Sequence, residues 1–330
     1  MIEVPIRSVK PGRLRYRAAP GKAIVAAMSG QGPNSVREPA VAGLFYPGQA
    51  RECRATAERL FQIGRGEAAR HKLEFSSTAV GAIVPHAGWI CSGAVAAESI
   101  AAAAFRSPSP DIVVVFGAIH TPIPIEKNAL DSHERWSLPG DSCAVITDVR
   151  DRLSGDSGLF AIDDRFHSRE HAVEVELPLV RLAWPKAGIL PIETPPNDRA
   201  AESGGAVARQ IAAAGLSAVY LASSDLTHYG PNYRFIPAGV GTAALGWAME
   251  NDKRLLRVVC DMLADQVVPE AMQNLNACGA GAIAAMLAAC QAGGAKRGYV
   301  LKHTNSFETL APVAPQAANN AVGYAAVMVG

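Results

Sequence analysis

The stretch VGAIVPHAGWICSG, residues Val80–Gly93, decides how the chain is read. An apolar run of Val80, Ala82, Ile83 and Val84 stops at Pro85, and His86 follows at once. Gly88, Trp89 and Gly93 come next, before an alanine-rich pattern of helical spacing begins. This is the signature of a buried strand, a glycine-lined turn and a helix. In open α/β sheets, ligands bind outside the carboxyl ends of the strands. The imidazole of His86 is therefore delivered to the place where a site would form.

Working outward, the same arrangement recurs. Asp111–Phe116, DIVVVF, is a continuous β-branched run, as a parallel strand buried on both faces requires. It ends at Gly117, with His120 just beyond in FGAIHTPIP. Ser217–Ala222, SAVYLA, runs into SSDLTHYG, which carries Asp225 and His228. Gly188–Ile192 reads as a shorter strand, Trp136–Ile146 as a strand region with a turn at Leu138–Asp141, and Tyr299–His303 and Gly323–Val329 as closing strands. Apolar spacing predicts helices over Gln49–Ile63, Ala94–Phe105, Arg199–Ala214, Gly239–Asn251, Asp252–Ala264, Pro269–Leu275 and Ala280–Ala292. A further helix is predicted over Glu170–Val180, with Pro312–Asn320 as a loop. Strands and helices alternate without a linker. This predicts one α/β domain over residues 37–330, its central mostly parallel or mixed sheet flanked by helices. Residues 1–36, rich in Gly, Pro, Arg and Ser, read as an irregular N-terminal arm.

Bulk composition narrows the function classes. The chain has 330 residues, a net charge of +1 and no basic block, which gives no electrostatic footprint for nucleic acid. No apolar run approaches the roughly 18 residues of a membrane span. The basic N-terminus has no apolar core behind it and is not read as a secretory signal. Six cysteines without CxxC spacing fit a reduced, cytoplasmic setting better than a disulfide framework.

Chemistry concentrates at the strand ends. His86, His120 and the pair Asp225 and His228 follow three strong strands, whose ends share one face, so these groups can converge. Imidazoles beside a carboxylate or thiolate make a transition-metal site. His171 stands at the start of the helix predicted over Glu170–Val180, with Glu174 one turn along on the same face. That spacing suits an acid–base pair, or simply a solvated helix start where Glu170 favours the dipole. Cys278, before Gly279 in NACGAGAIAAML, is either a thiolate at a helix N-terminus or a small buried residue. No phosphate loop, HExxH helix or GxSxG elbow is present.

Taken together, REPAVAGLFYP (37–47), IVPHAGWICSG (83–93), FGAIHTP (116–122), EHAVEVELP (170–178), SSDLTHYG (223–230) and NACG (276–279) resemble the MEMO family, whose prokaryotic members are called AmmeMemoRadiSam system protein B. The resemblance runs from about Arg37 to Gly330. It implies a fold similar to the class III extradiol dioxygenases of the protocatechuate 4,5-dioxygenase type. It also implies a pocket associated with one redox metal, iron or copper, with zinc a third candidate. The matching ligands are His86, His120 and Cys278, and His171, Asp225 and His228 match polar residues lining the same pocket. Asp225 would orient a ligand imidazole or accept its second N–H, and His171 and His228 would serve as acid–base or substrate-binding groups. Two positions depart from some members: Thr121 and Glu176 stand where those have histidine. A thiolate ligand in place of the dioxygenases' carboxylate is softer, so ring cleavage does not carry over with the fold.

Two functions follow as expectations. One is a metal-dependent redox protein, dioxygenase-like, acting on a small molecule. The other is an adaptor-like module whose pocket holds a peptide or small ligand without turnover. A homo-oligomer is compatible with both.

Overall fold

The computed structural model describes residues 35–330, except Ser76, Asp156, Ser157 and Gln316. The expected arm, residues 1–36, lies outside the described residues apart from Ser35 and Val36. In chain order the elements are β1 (Val36–Arg37), α1 (Ala50–Ala68), β2 (Val80–Val84), α2 (Trp89–Arg106), β3 (Ile112–Gly117), β4 (Asn128–Leu130), β5 (Arg135–Leu138), β6 (Asp141–Ala144), α3 (Thr147–Ser154) and β7 (Phe160–Ile162). Then come α4 (Leu177–Ala183), β8 (Gly188–Glu193), α5 (Ala200–Ala213), β9 (Ala218–Ser223), β10 (His228–Tyr229), α6 (Thr242–Cys260), α7 (Ala264–Asn274), α8 (Ala280–Ala292), β11 (Gly298–Asn305), α9 (Ser306–Leu310) and β12 (Ala321–Val329).

The main sheet runs β10-β12-β2-β9-β3-β8-β4-β7, with β11 along the other side of β12. Its centre, β2-β9-β3-β8, is parallel throughout, while β12 and β4 flank it antiparallel, so the sheet is mixed as expected. The central strands are buried on both faces and alternate with period two. Val113, Val115, Val219 and Leu221 face the layer of α1, α2 and α4; Ile112, Val114, Phe116 and Ala222 face the layer of α5, α7 and α8. Small residues let the helices sit close. A Cβ on Gly204 of α5 would fall 1.9 Å from the Ala285 carbonyl oxygen of α8, so only glycine permits this approach. The small sheet β1-β5-β6 packs at one side. No helix among the described residues is long and apolar enough to cross a membrane.

Three elements differ from expectation. The two helices expected over 239–264 are one, α6, because Asn251 and Asp252 are buried within it rather than breaking it. Asn251 Nδ2 donates to Thr227 Oγ1 and the Asn274 carbonyl, and Asp252 accepts from the Thr227 backbone N–H. α7 begins at Ala264 and carries Pro269 inside it. The helix expected over Glu170–Val180 is restricted to α4, preceded by a single 3₁₀ turn, Glu174–Glu176. His171 and Glu174 therefore do not share a helix face, and the site depends on that difference.

Candidate metal centre

β2, β9 and β3 lie side by side, so the turns after Val84, Ser223 and Gly117 open at one edge of the sheet. The register pairs Val84 with Ser223, which sets Ser223 beside the turn that carries His86. Ser223 Oγ lies 2.9 Å from His86 Nδ1 and 2.6 Å from the Ala172 carbonyl. A hydroxyl has one proton, and the carbonyl can only accept it, so His86 Nδ1–H donates to Ser223. His86 Nε2 is then the unprotonated nitrogen. It lies 3.3 Å from Cys278 Sγ. Burial, reinforced by His120 and His171, holds the His86 imidazole neutral, its pKa well below the ordinary value.

Glu170 orders the other two rings. Its carboxylate accepts from the His120 backbone N–H at 2.7 Å and lies 2.9 Å from His120 Nδ1. It also accepts from the backbone N–H groups of His171 and Ala172, and lies 3.1 Å from His171 Nδ1. Burial alone would raise this carboxyl, but the hydrogen bonds from His120 and His171 outweigh it and hold it well below the usual carboxylate range. With His120 Nδ1 hydrogen-bonded to Glu170 and His171 Nδ1 beside the same carboxylate, Nε2 is the nitrogen each ring has left to offer. Such carboxylate–histidine pairs fix tautomer and ring orientation in metal sites.

One ligand nitrogen from each of His86, His120 and His171 lies within 4.8 Å of the other two. The rings of His120 and His171 stack with centroids 4.5 Å apart, and His86 stands edge-on to both. Phe45, from the REPAVAGLFYP segment, closes over His171 at 4.6 Å. That segment is itself tied down by Glu174, whose carboxylate takes Arg37, the backbone N–H groups of Ala40 and Val41, and the Tyr46 hydroxyl. Glu174 is thus an anchor and not the partner of His171.

Cys278 reaches the site from behind. Its backbone N–H donates to the Asp225 carbonyl, and Asp225 N–H donates to its sulfur at 3.2 Å. Gly279 is needed here, since a Cβ would come 2.5 Å from the Ser223 carbonyl oxygen. The thiol is not lowered by the helix that follows. Burial, with the nearby Asp225 carboxyl, pushes it up to about 12. The structure therefore groups His86 and His120 with His171, and places Cys278 against His86 alone.

Asp225 differs in detail from its expected role. Its carboxylate accepts the backbone N–H of His86 at 2.9 Å, and the His86 imidazole goes to Ser223 instead. Burial pushes the Asp225 carboxyl up to about 7, against the backbone hydrogen bonds from His86 and Ala87. His228 Nδ1 donates to the Leu226 carbonyl, and its ring meets Tyr233 edge-on. Burial lowers its pKa, leaving Nε2 free to accept. Glu176 is fully buried with Oε2 unpartnered, and burial, then Asp225, pushes it well above the ordinary range.

The three clustered histidines, Asp225, His228 and Tyr324 line a cavity of about 430 Å³. A second grouping, Asp131, His133 and Asp164, is spent on its own turn. Asp131 binds His133 and Trp136, and both oxygens of Asp164 are taken by Ser132.

A family model described as Memo-like protein matches residues 37–328. The chain belongs to the Memo-like family. It is 32% identical to a MEMO1 family protein of Methanococcoides burtonii over 303 residues, covering 89% of this chain and all of that protein. It is 29% identical to MEMO1 family proteins of Nitrosopumilus maritimus and Pyrococcus horikoshii, each match covering 88% of this chain and 98% of the other. The Memo-like match spans all six motifs read from the sequence. Ser223 and Glu170 were not singled out as site residues by sequence reasoning. The only signal was their adjacency, Ser223 to a strand end and Glu170 to His171.

Proposed function

We propose that the cavity beside β2, β9 and β3 holds one metal ion, iron or copper with zinc as a third candidate, and that with iron or copper bound the protein oxidises a small molecule. One observation carries the reading. Ser223 and Glu170 stand against the Nδ1 sides of all three clustered imidazoles, and one ligand nitrogen of each ring lies within 4.8 Å of the other two. Three clustered imidazoles with a thiol alongside suit iron, copper and zinc, the sulfur favouring copper(I) or zinc. His86 and His120 are ligands in this reading. The third donor is His171 by proximity and Cys278 by family resemblance.

A bound iron or copper ion would supply one-electron chemistry toward dioxygen. The chain's own groups would handle the substrate. Asp225, with a carboxyl near neutrality, exchanges a proton at the cavity wall, and His228 Nε2 accepts one. His171 does the same if Cys278 is the third ligand. Tyr233 and Tyr324 would orient the substrate. Metal analysis of protein purified without added metal tests this. The wild type should carry about one ion, and His86→Ala and His120→Ala none. His171→Ala and Cys278→Ser then identify the third ligand. Equal metal in all five proteins would sink the assignment.

A further inference from the structure

A second cavity, of about 570 Å³, adjoins the first and shares Phe45, Gly88 and Cys91 with it. Its character is different. Leu44, Ile90 and Val313 line it with 82%, 70% and 65% of their surfaces exposed, and Ile63 is also exposed there. Monomeric proteins seldom leave several large aliphatic side chains uncovered around one groove without a use for them. The backbone that carries Leu44 and Ile90 is held in place. Leu44 sits on a turn closed by bonds from Gly43 N–H to the Tyr46 carbonyl and from Leu44 N–H to the Val41 carbonyl. That turn is pinned to α2 by Trp89 N–H on the Phe45 carbonyl, and Ile90 is in the first turn of α2. Arg59 is the one charged residue in the groove lining, and no carboxylate lines it.

We infer that the ligand of the histidine cavity is amphipathic. Its polar head enters among His86, His120 and His171, and an alkyl or aryl tail lies along Leu44, Ile90 and Val313. The argument is adjacency and contrast: two neighbouring cavities with three wall residues in common, one walled by imidazoles and a carboxyl, the other by aliphatic side chains. The inference rests on the metal-site reading for the identity of the head. The tail groove is argued independently of it.

The test uses a series of straight-chain alkyl hydroxamates, from acetohydroxamate to decanohydroxamate, titrated calorimetrically with and without one equivalent of cobalt(II). Affinity should rise about fourfold per added methylene, since each buried methylene contributes a near-constant increment. The slope should be the same with and without cobalt, and cobalt should tighten every member by one common factor. Leu44→Ser with Ile90→Ser, both exposed positions, should flatten the slope and leave acetohydroxamate binding unchanged. A slope near zero in the wild type overturns the groove. A normal slope with no effect of cobalt leaves the groove standing and overturns the metal-site reading instead. A wild-type dimer that becomes a monomer in the double variant assigns the patch to a second copy of the chain and overturns the inference.

Discussion

Ser223 Oγ fixes His86 as the tautomer protonated on Nδ1, because its own proton is committed to the Ala172 carbonyl. Ser223 touches no cavity-facing nitrogen, yet it decides which nitrogen of His86 faces the other rings. Ser223→Ala should therefore weaken metal binding about 10- to 100-fold, the usual range for loss of such a partner. The fold should survive, since the lost hydroxyl leaves only a small gap. Competition against a chelator of known affinity measures the first, and thermal unfolding the second.

Glu170→Gln should have a larger effect than Ser223→Ala. The carboxylate serves two imidazoles and three backbone N–H groups, and an amide offers only one oxygen to them. The amide nitrogen would face an Nδ1–H, so at least one ring must turn or change tautomer. A drop of more than 100-fold in metal affinity is expected. A drop confined to less than tenfold would show that the rings are held by packing rather than by Glu170.

Arg37 and Glu174 form an ion pair at 2.8 Å with both side chains buried. Arg37 also lies over the Trp136 ring and donates to the carbonyls of His167 and Glu170. Removing one member leaves a buried charge uncompensated, which costs about 3–5 kcal/mol. Glu174→Ala should destabilise the protein by that amount in urea unfolding. It should also loosen the 37–47 segment, seen as faster proteolysis there.

The acid limb of stability should carry a mark of Asp131. Burial would raise this carboxyl, but His133, the nearby His167 and Trp136 outweigh it and bring it down to about 2 from an ordinary 3.8. A carboxyl lowered in the folded state stabilises fully above its unfolded pKa and loses that contribution as pH falls through the folded one. The window is therefore from about pH 4 to pH 2, and the loss about 2 kcal/mol. Its partner His133 is raised by Asp131, so its contribution is present at low pH and fades as pH climbs past its folded pKa. Asp131→Asn should flatten the fall between pH 4 and pH 2 in urea unfolding. An unchanged slope would show that Asp131 titrates alike in both states.

The centre of the fold was legible because its strands are buried on both faces and so read as unbroken apolar runs: β2, β3 and β9 fall within a residue or so of their expected positions. α8 matches residue for residue, being apolar all round and bounded by Gly279 and Gly293. The edge was not legible. β4 and β7 have three residues each, too few for a period to show, and depend on their neighbours for pairing. The 170–176 segment misled because Val173, Leu177 and Val180 sit at helical spacing. There the backbone bends instead so that Glu170 can receive the N–H groups of His171 and Ala172. The strand-end positions of His86, His120 and Asp225 were legible from topology. Side chains that orient them were not, because a hydrogen bond to Nδ1 leaves no periodic trace in sequence.

The order of the central strands has a consequence for how the protein is made. β9 lies between β2 and β3, yet it is synthesised about a hundred residues after β3. Until it arrives, the two strands that carry His86 and His120 have no partner between them, and the Ser223 that sets the His86 ring does not exist. Cys278 emerges later still. A nascent chain therefore displays histidines long before it can organise them, and long-range pairing of this kind is slow to form. Metal uptake would come as one of the last events of folding, a seal on a completed sheet rather than a seed for it.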